Sequence, residues 1–141
     1  MTRLTIAIPN YNGGKNLQRA IESCKKIKIP LEDYEILIAD NCSTDNSIDI
    51  INELNNEFSN LTLIENKENV GRIQNWNVCL ENAKGKFLIF LFSNDIINDQ
   101  NNIHEILEIL DKDEKISIGF SSLLKKEIDN SYIKKLFSDK I

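Results

Sequence analysis

The sequence has few of the residues that mark disulfide-rich or metal-binding proteins. Its 141 residues include three cysteines and one histidine, and no two cysteines have the CxxC spacing. An odd number of widely separated cysteines argues against a disulfide framework or a zinc site, and it is typical of the reducing cytoplasm. No apolar run approaches the roughly 20 residues of a membrane span, and no signal peptide is apparent. We therefore expect a cytoplasmic protein.

The chain also lacks an excess of basic residues. Acidic residues outnumber basic residues by 22 to 17, which gives a formal net charge of −5. A protein that binds nucleic acid without sequence preference needs a basic surface to displace counterions from the phosphates, so we expect no nucleic-acid partner. The hydrophobic fraction of 41% and the charged fraction of 28% are globular in character. The length predicts a single domain over residues 1–141.

Two common phosphate-binding signatures are missing. A dinucleotide cofactor requires a G-x-G-x-x-G turn after the first strand, and Gly13 followed by Gly14 does not supply it. The P-loop pattern is absent as well. A NAD-dependent dehydrogenase and a P-loop NTPase are therefore disfavoured.

A regular alternation of strand and helix patterns is present. Strands are predicted at residues 4–8, 34–39, 61–64, 87–92 and 116–121. Helical apolar spacing is found at residues 17–27, 48–54, 73–83, 103–110 and 128–137. This order predicts a doubly wound α/β protein with a mostly parallel sheet. The apolar run 87–92 predicts a strand buried on both faces, and Thr44 is predicted as a helix N-cap.

The helix over residues 73–83 has a predicted core face of its own. Ile73, Trp76 and Leu80 recur at helical spacing, so we expect them to face the sheet. Cys24 and Cys79 lie on apolar helix faces, where a cysteine usually behaves as a small buried hydrophobe.

Polar residues follow three of the predicted strands. Residues 9–12 follow the first strand, Asp40 follows the second, and Ser93, Asn94 and Asp95 follow the fourth. The carboxyl ends of parallel strands meet at one edge, where ligands bind. Carboxylate and amide oxygens suit Mg²⁺ or Mn²⁺. The sequence therefore indicates a metal that carries a phosphate ligand.

Taken in order, these segments resemble the N-terminal half of a family 2 glycosyltransferase with the GT-A fold. The matching segments are residues 8–12, 38–45, 68–71, 75–87 and 93–95. The resemblance implies a Rossmann-like three-layer α/β/α fold with a mostly parallel sheet, truncated on its C-terminal side. It also implies transfer of a sugar from a nucleotide diphosphate to an acceptor hydroxyl in glycan or surface polysaccharide biosynthesis.

The resemblance assigns nucleotide-binding roles residue by residue. Asp40 matches the acidic residue that accepts a hydrogen bond from the base, and Pro9 and Tyr11 match residues that line the base pocket. Arg72 resembles a basic residue that approaches the nucleotide. The implied donor is a UDP- or dTDP-sugar. The alternatives are a turn residue at Asp40, a core-edge residue at Tyr11 and a solvated surface residue at Arg72.

The metal motif departs from that of the family. The family carries a pair of carboxylates here, whereas this chain has Ser93, Asn94 and Asp95. Asp95, assisted by Asn94 and Ser93, is implied to hold Mg²⁺ or Mn²⁺. Because these ions often use one or two carboxylates plus substrate phosphates, one carboxylate can suffice, but we expect weaker metal affinity. The alternative is a capping turn at the end of a strand.

The resemblance weakens after about residue 100, where family members bring the acceptor pocket and the general base. No catalytic base can be named, because Glu127, Asp129 and Asp139 fall in no motif. The segment 128–137 is a candidate homodimer contact, and packing on its own sheet is the alternative. Any peripheral membrane association is expected through the acceptor.

Two other functions compete with the transferase. A catalytically inactive nucleotide-binding or protein-interaction module would keep the fold and perform no transfer. A receiver-like signalling domain needs an aspartate after its third strand, where this chain has Glu65, Asn66 and Lys67. The receiver function is therefore disfavoured.

Overall fold

The computed structural model describes residues 2–98 and 100–112. Its strands are β1 (Leu4–Asn10), β2 (Tyr34–Asp40), β3 (Leu61–Glu65) and β4 (Phe87–Phe90). Its α-helices are α1 (Gly14–Ser23), α2 (Ser47–Asn55), α3 (Arg72–Asn82) and α4 (Gln100–Lys112). Short 3₁₀ turns occur at Cys24–Lys26 and Leu31–Asp33. None of the helices in this part of the chain has the length and apolarity to cross a membrane.

The chain divides into two compact units, residues 1–109 and 110–141. The first unit contains all four strands and helices α1 to α3. Of the second unit, only residues 110–112 at the end of α4 are described. The predicted strand 116–121, the predicted helix 128–137 with its dimer contact, and the carboxylates of Glu127, Asp129 and Asp139 all lie outside the described residues.

The four strands form one parallel sheet in the order β3-β2-β1-β4. Strand β1 pairs with β2 from Leu4 opposite Tyr34 to Asn10 opposite Asp40. On its other side, β1 pairs with β4, with Ala7 opposite Phe90. Because all the pairs are parallel, the carboxyl ends of β1, β2 and β4 meet at one edge of the sheet.

Helices cover both faces of this sheet. Alternate side chains of β1 and β2, such as Ile6 and Ile36, are buried in the large core together with residues of α1, α2 and α4. The intervening residues Ala7 and Ala39 pack with Cys79 of α3 in a smaller core. The period of two along each strand explains this division. The predicted three-layer α/β/α fold with a parallel sheet is confirmed.

Helix α3 buries a different face from the one predicted. Ile73 and Leu80 are 59% and 53% exposed, whereas Asn75 and Cys79 are buried. The Asn75 side chain can be buried because its Nδ2 donates a hydrogen bond of 2.9 Å to the carbonyl oxygen of Ala39. The spacing of apolar residues could not predict the burial of Asn75, because such a pattern assigns only apolar residues to the core.

Two further predictions are corrected. Strand β4 ends at Phe90 and is only half-buried along its length, because within the described residues it pairs with β1 alone. Helix α2 begins after Asn46 rather than after Thr44. The backbone N–H of Thr44 instead donates to Asn12 Oδ1 at 2.8 Å, so Thr44 holds a loop and does not cap the helix. The predicted burial of Cys24 and Cys79 is confirmed.

Candidate functional site

A cavity of about 550 Å³ opens at the carboxyl edge of the sheet. This volume lies in the usual range for small-molecule sites. The lining comes from the end of β1, the residue after β2, the start of α3 with its preceding loop, and the turn after β4. The lining residues are Pro9, Asn10, Tyr11, Asn41, Asn69, Arg72, Asn75, Trp76, Phe92, Ser93 and Asn94.

Four of the predicted site residues line this cavity. They are Pro9, Tyr11, Arg72 and Asn94. The ring of Tyr11 is half exposed, at 51%, so its face is open to a ligand. The guanidinium of Arg72 lies 5.6 Å from the centre of the Trp76 ring, and this cation–π contact holds the positive charge at the cavity wall.

Asp40 is placed differently from the prediction. It is 1% exposed and does not line the cavity. Its Oδ1 accepts hydrogen bonds from Asn10 Nδ2 at 2.7 Å and Ser43 Oγ at 2.6 Å. Its Oδ2 accepts a hydrogen bond from the backbone N–H of Ser43 at 2.8 Å. The carboxylate therefore closes the turn after β2, and its predicted contact with a base stays a prediction.

Asp95 lies beside the cavity but not in its lining. Its backbone N–H donates to the Phe92 carbonyl oxygen at 2.8 Å, which closes the turn after β4. The preceding residue, Asn94, lines the cavity, and its Oδ1 accepts a hydrogen bond of 3.3 Å from Asn16 Nδ2 of α1. Helix α1 thus holds the side chain that the sequence analysis assigned to the metal.

The loops after β1 and β2 are tied together by hydrogen bonds. Asn12 has a positive φ of 53°, and its Oδ1 accepts bonds from the backbone N–H groups of Thr44 at 2.8 Å and Asp45 at 3.3 Å. Ser47 Oγ accepts bonds from the backbone N–H groups of Gly13 and Gly14 at 3.1 and 3.2 Å. Two walls of the site are therefore fixed relative to each other.

A glycine is required where the β1 loop approaches the β4 turn. A Cβ on Gly13 would lie 2.3 Å from Asn10 Oδ1 and 3.2 Å from the Cβ of Ser93. Asn10 Oδ1 is itself buried and has no hydrogen-bond partner among the described residues. Gly13 therefore lets two loops of the site approach more closely than any side chain would permit.

Several cavity residues were not singled out by the sequence analysis. Asn41 follows Asp40 directly and lines the cavity where Asp40 does not. Asn69, Asn75 and Phe92 also contribute. The position of Asn41 at the end of a strand could have indicated it, but the base-binding role was assigned to its acidic neighbour, Asp40.

A parallel sheet with a cavity at its carboxyl edge is the arrangement of ligand-binding α/β proteins. Residues 5–137 match the family model for glycosyl transferase family 2. The chain belongs to that family.

Curated proteins and solved structures are similar to this chain. The poly(ribitol-phosphate) beta-glucosyltransferase of Bacillus spizizenii is 33% identical over 99 residues, which cover 70% of this chain and 16% of that protein. The poly(ribitol-phosphate) beta-N-acetylglucosaminyltransferase TarS of Staphylococcus aureus is 31% identical over 101 residues, which cover 71% of this chain and 18% of TarS. The chain thus spans less than a fifth of either relative.

The crystal structure of TarS residues 1–349 with UDP-GlcNAc has a TM-score of 0.73 and 25% identity, over 89% of this chain and 39% of that one. A mannosyltransferase of Pyrobaculum calidifontis in complex with GDP-Man and Mn²⁺ has a TM-score of 0.71 at 20% identity, over 77% of this chain and 32% of that one. The second likeness shows a shared fold. Both named relatives are sugar transferases.

Proposed function

We propose that this chain is the donor-binding part of an enzyme that transfers a sugar from a nucleotide diphosphate to an acceptor hydroxyl in surface polysaccharide biosynthesis. The observation that carries the proposal is the cavity at the carboxyl edge of the sheet, with Pro9, Tyr11, Arg72 and Asn94 in its lining. The poly(ribitol-phosphate) transferases among the relatives support a polymeric acceptor.

The proposed donor is a UDP-sugar, with a dTDP-sugar as the alternative pyrimidine donor. The structure of TarS with UDP-GlcNAc supports a uridine nucleotide. The base would lie against Tyr11 and Pro9, and the guanidinium of Arg72 would offer charged donors to the phosphates or ribose. The turn of residues 93–95 would face the diphosphate. We also expect a cytoplasmic location, where nucleotide sugars would be available to the site.

The residues after β4 fit a divalent cation that arrives with its phosphate ligands. Among the described residues, no group of three or more His, Cys, Asp or Glu side chains could hold a metal alone. Asp95 and Asn94 would supply one carboxylate and one amide oxygen, a set that Mg²⁺ or Mn²⁺ accepts when phosphates complete its shell. When bound, the ion would neutralise the charge that develops on the leaving nucleotide diphosphate.

The protein's own residues would hold the donor still during the reaction. Asn16 orients Asn94, Asp40 closes the β2 turn, and Asn12 joins the two loops. A fixed donor lowers the barrier because little freedom is lost on the way to the transition state. The group that deprotonates the acceptor is not assigned to any described residue.

Isothermal titration calorimetry with UDP tests this function, with MnCl₂ and then with EDTA. We expect UDP to bind in manganese and to bind more weakly in EDTA. Asn94→Asp should lower the manganese concentration needed for half-maximal binding, because it restores a second carboxylate. Asn56→Asp, at the exposed far end of α2, adds the same charge away from the site and should change nothing. An absence of UDP, dTDP and GDP binding under both conditions would contradict the proposal.

A further inference from the structure

The segment that follows β4 is attached to helix α1 at two points. Asn94 Oδ1 accepts a hydrogen bond of 3.3 Å from Asn16 Nδ2, in the first turn of α1. Further along the chain, the backbone N–H of Ile97 donates a hydrogen bond of 3.0 Å to Ser23 Oγ, at the last residue of α1. Asp95 therefore lies between two anchors on the same helix.

The spacing of the two anchors matches the reach of the segment. Asn16 and Ser23 are nearly two helical turns apart, which places them on the same side of α1 and about 10 Å apart along its axis. The backbone from Asn94 to Ile97 can span at most about 10–11 Å. The segment between the anchors therefore has to run along α1 rather than bulge away from it.

The Ser23 hydroxyl is held in one orientation by its own helix. It donates a hydrogen bond of 2.6 Å to the carbonyl oxygen of Ala20, so its oxygen is left to accept the bond from Ile97. Ser23 is buried, and the Ile97 side chain packs against the large core. Without this hydroxyl, the Ile97 N–H would have to find water, and the segment would have to move away from α1 to reach it.

We propose that Ser23 is a positioning residue for the divalent cation, because it holds the segment that carries Asp95 against α1. The proposal rests on the nucleotide-binding function proposed above. The turn of residues 93–95 has one carboxylate, so its affinity for the ion depends on where that carboxylate is held. A ligand group that is ordered before binding loses little freedom when it binds. Ser23 does not line the cavity, and its effect therefore passes through Asp95.

The experiment measures UDP binding to the whole 141-residue chain by calorimetry, over a series of MnCl₂ concentrations and in EDTA. Ser23→Ala should raise the Mn²⁺ concentration for half-maximal enhancement of UDP binding about three- to tenfold, the change that one lost hydrogen bond produces. The UDP affinity in EDTA should stay the same, because the variant removes nothing from the cavity lining. A substitution that only destabilised the fold would not act on the manganese dependence alone.

Three further variants serve as controls for this measurement. Ser23→Thr keeps the hydroxyl and should keep the manganese dependence of the parent. Ser59→Ala, exposed in the turn before β3, makes the same chemical change away from the segment. Ile51→Val, buried in α2, lowers stability through the core. Neither Ser59→Ala nor Ile51→Val should change the manganese dependence.

Hydrogen exchange of the Ile97 amide tests the anchor without metal or nucleotide. In the unaltered chain, this amide should exchange at least about tenfold more slowly than in an unstructured peptide, because its hydrogen bond must open first. Ser23→Ala should remove most of that protection, and Ser23→Thr should retain it.

The outcomes separate this proposal from the function on which it rests. An unprotected Ile97 amide in the unaltered chain overturns the proposal, even where a variant does not fold. An unchanged manganese dependence in a Ser23→Ala variant that has lost the protection also overturns it, as does an equal loss of UDP affinity in MnCl₂ and in EDTA. In each of these cases, UDP binding by the unaltered chain leaves the function standing. Binding of none of UDP, dTDP and GDP by the unaltered chain overturns both.

Discussion

At the scale of single residues, buried polar side chains shape the site more than exposed ones do. Asp40 receives three hydrogen bonds, from Asn10, from the Ser43 hydroxyl and from the Ser43 backbone. These bonds hold the β2 turn against the end of β1. The residue that the sequence analysis assigned to the base thus has a structural task in the folded chain.

Replacing Asp40 by asparagine should therefore lower stability as well as any nucleotide binding. The new Nδ2 group would face an N–H or O–H group that now donates a hydrogen bond to the carboxylate. Two donors would then face each other, and an unsatisfied buried donor costs about 1–3 kcal/mol. Urea unfolding followed by circular dichroism measures this free energy. Asp49→Asn, on the exposed side of α2, is the control and should change stability by less than about 0.5 kcal/mol. Weakened UDP binding at full stability would favour the base-binding role.

The site residues that could be predicted from sequence are those at strand ends. Pro9 and Tyr11 lie at the end of β1 and just beyond it, Asn94 follows β4, and a parallel sheet brings such ends together. Asn41 could not be distinguished from Asp40, because the two polar residues are adjacent at the point where β2 ends. Which of the two faces the cavity depends on the register of β2 against β1, and single-sequence patterns do not give that register.

At the scale of elements, one buried carboxylate joins the amino-terminal ends of three strands. Glu35 of β2 lies opposite Thr5 of β1, and its Oε1 accepts hydrogen bonds of 2.6 Å from the Thr5 hydroxyl and from the backbone N–H of Lys84. The Thr5 hydroxyl accepts a bond of 2.9 Å from the Gly85 N–H. The turn that leads into β4 is thereby attached to both β1 and β2.

Glu35→Ala should destabilise the protein by about 2–4 kcal/mol, because the Thr5 and Lys84 donors would lose a shared buried acceptor. Glu35→Gln keeps one acceptor oxygen of similar shape, so we expect it to cost less than half as much. Guanidinium unfolding of the three proteins, with equal m-values, provides the comparison. Equal losses for the two variants would show that the negative charge matters more than the accepted hydrogen bonds.

The elements differ in how well their sequence patterns predict their packing. Strands β1 and β2 are predicted within two residues of their ends, since alternating apolar residues are bounded by turn residues. Helix α3 is predicted in extent but not in its buried face, because the Asn75 amide satisfies a backbone carbonyl. Strand β4 is apolar throughout, yet its burial depends on which strands pair beside it.

At the scale of the whole molecule, the alternation of strands and helices is sufficient to predict the three layers. The sheet order β3-β2-β1-β4 requires crossovers on both faces, and right-handed connections leave few other arrangements for such a pattern. The unequal cores are not predictable in this way. Ala7 and Ala39 leave room for α3 to approach closely, and only the folded chain shows that Cys79 fills the gap.

The two buried cysteines report whether the two cores are closed, since Cys24 lies in the large core and Cys79 in the smaller one. Burial raises the pKa of the Cys24 thiol to about 12 and that of the Cys79 thiol to about 11, whereas Cys42 is exposed. Because the thiolate is the reactive form, iodoacetamide at pH 8 should modify Cys42 alone in the native protein. In denaturant, all three cysteines of the sequence should react. Mass spectrometry of the intact chain counts the modified thiols, and a Cys42→Ala variant should show no fast modification.

The same thiols contribute to a loss of stability at alkaline pH. In the unfolded chain they titrate near the ordinary thiol pKa of 9.0, below their folded values, so above that pH the unfolded state binds fewer protons than the native state. The free energy of unfolding should therefore be constant below about pH 8 as far as these groups are concerned. It should fall progressively from pH 9 toward pH 11, and the modification of Cys24 and Cys79 should accelerate in step, because unfolding opens both cores. Rapid modification of either thiol at pH 8 would contradict the closed packing of α1 and α3 on the sheet.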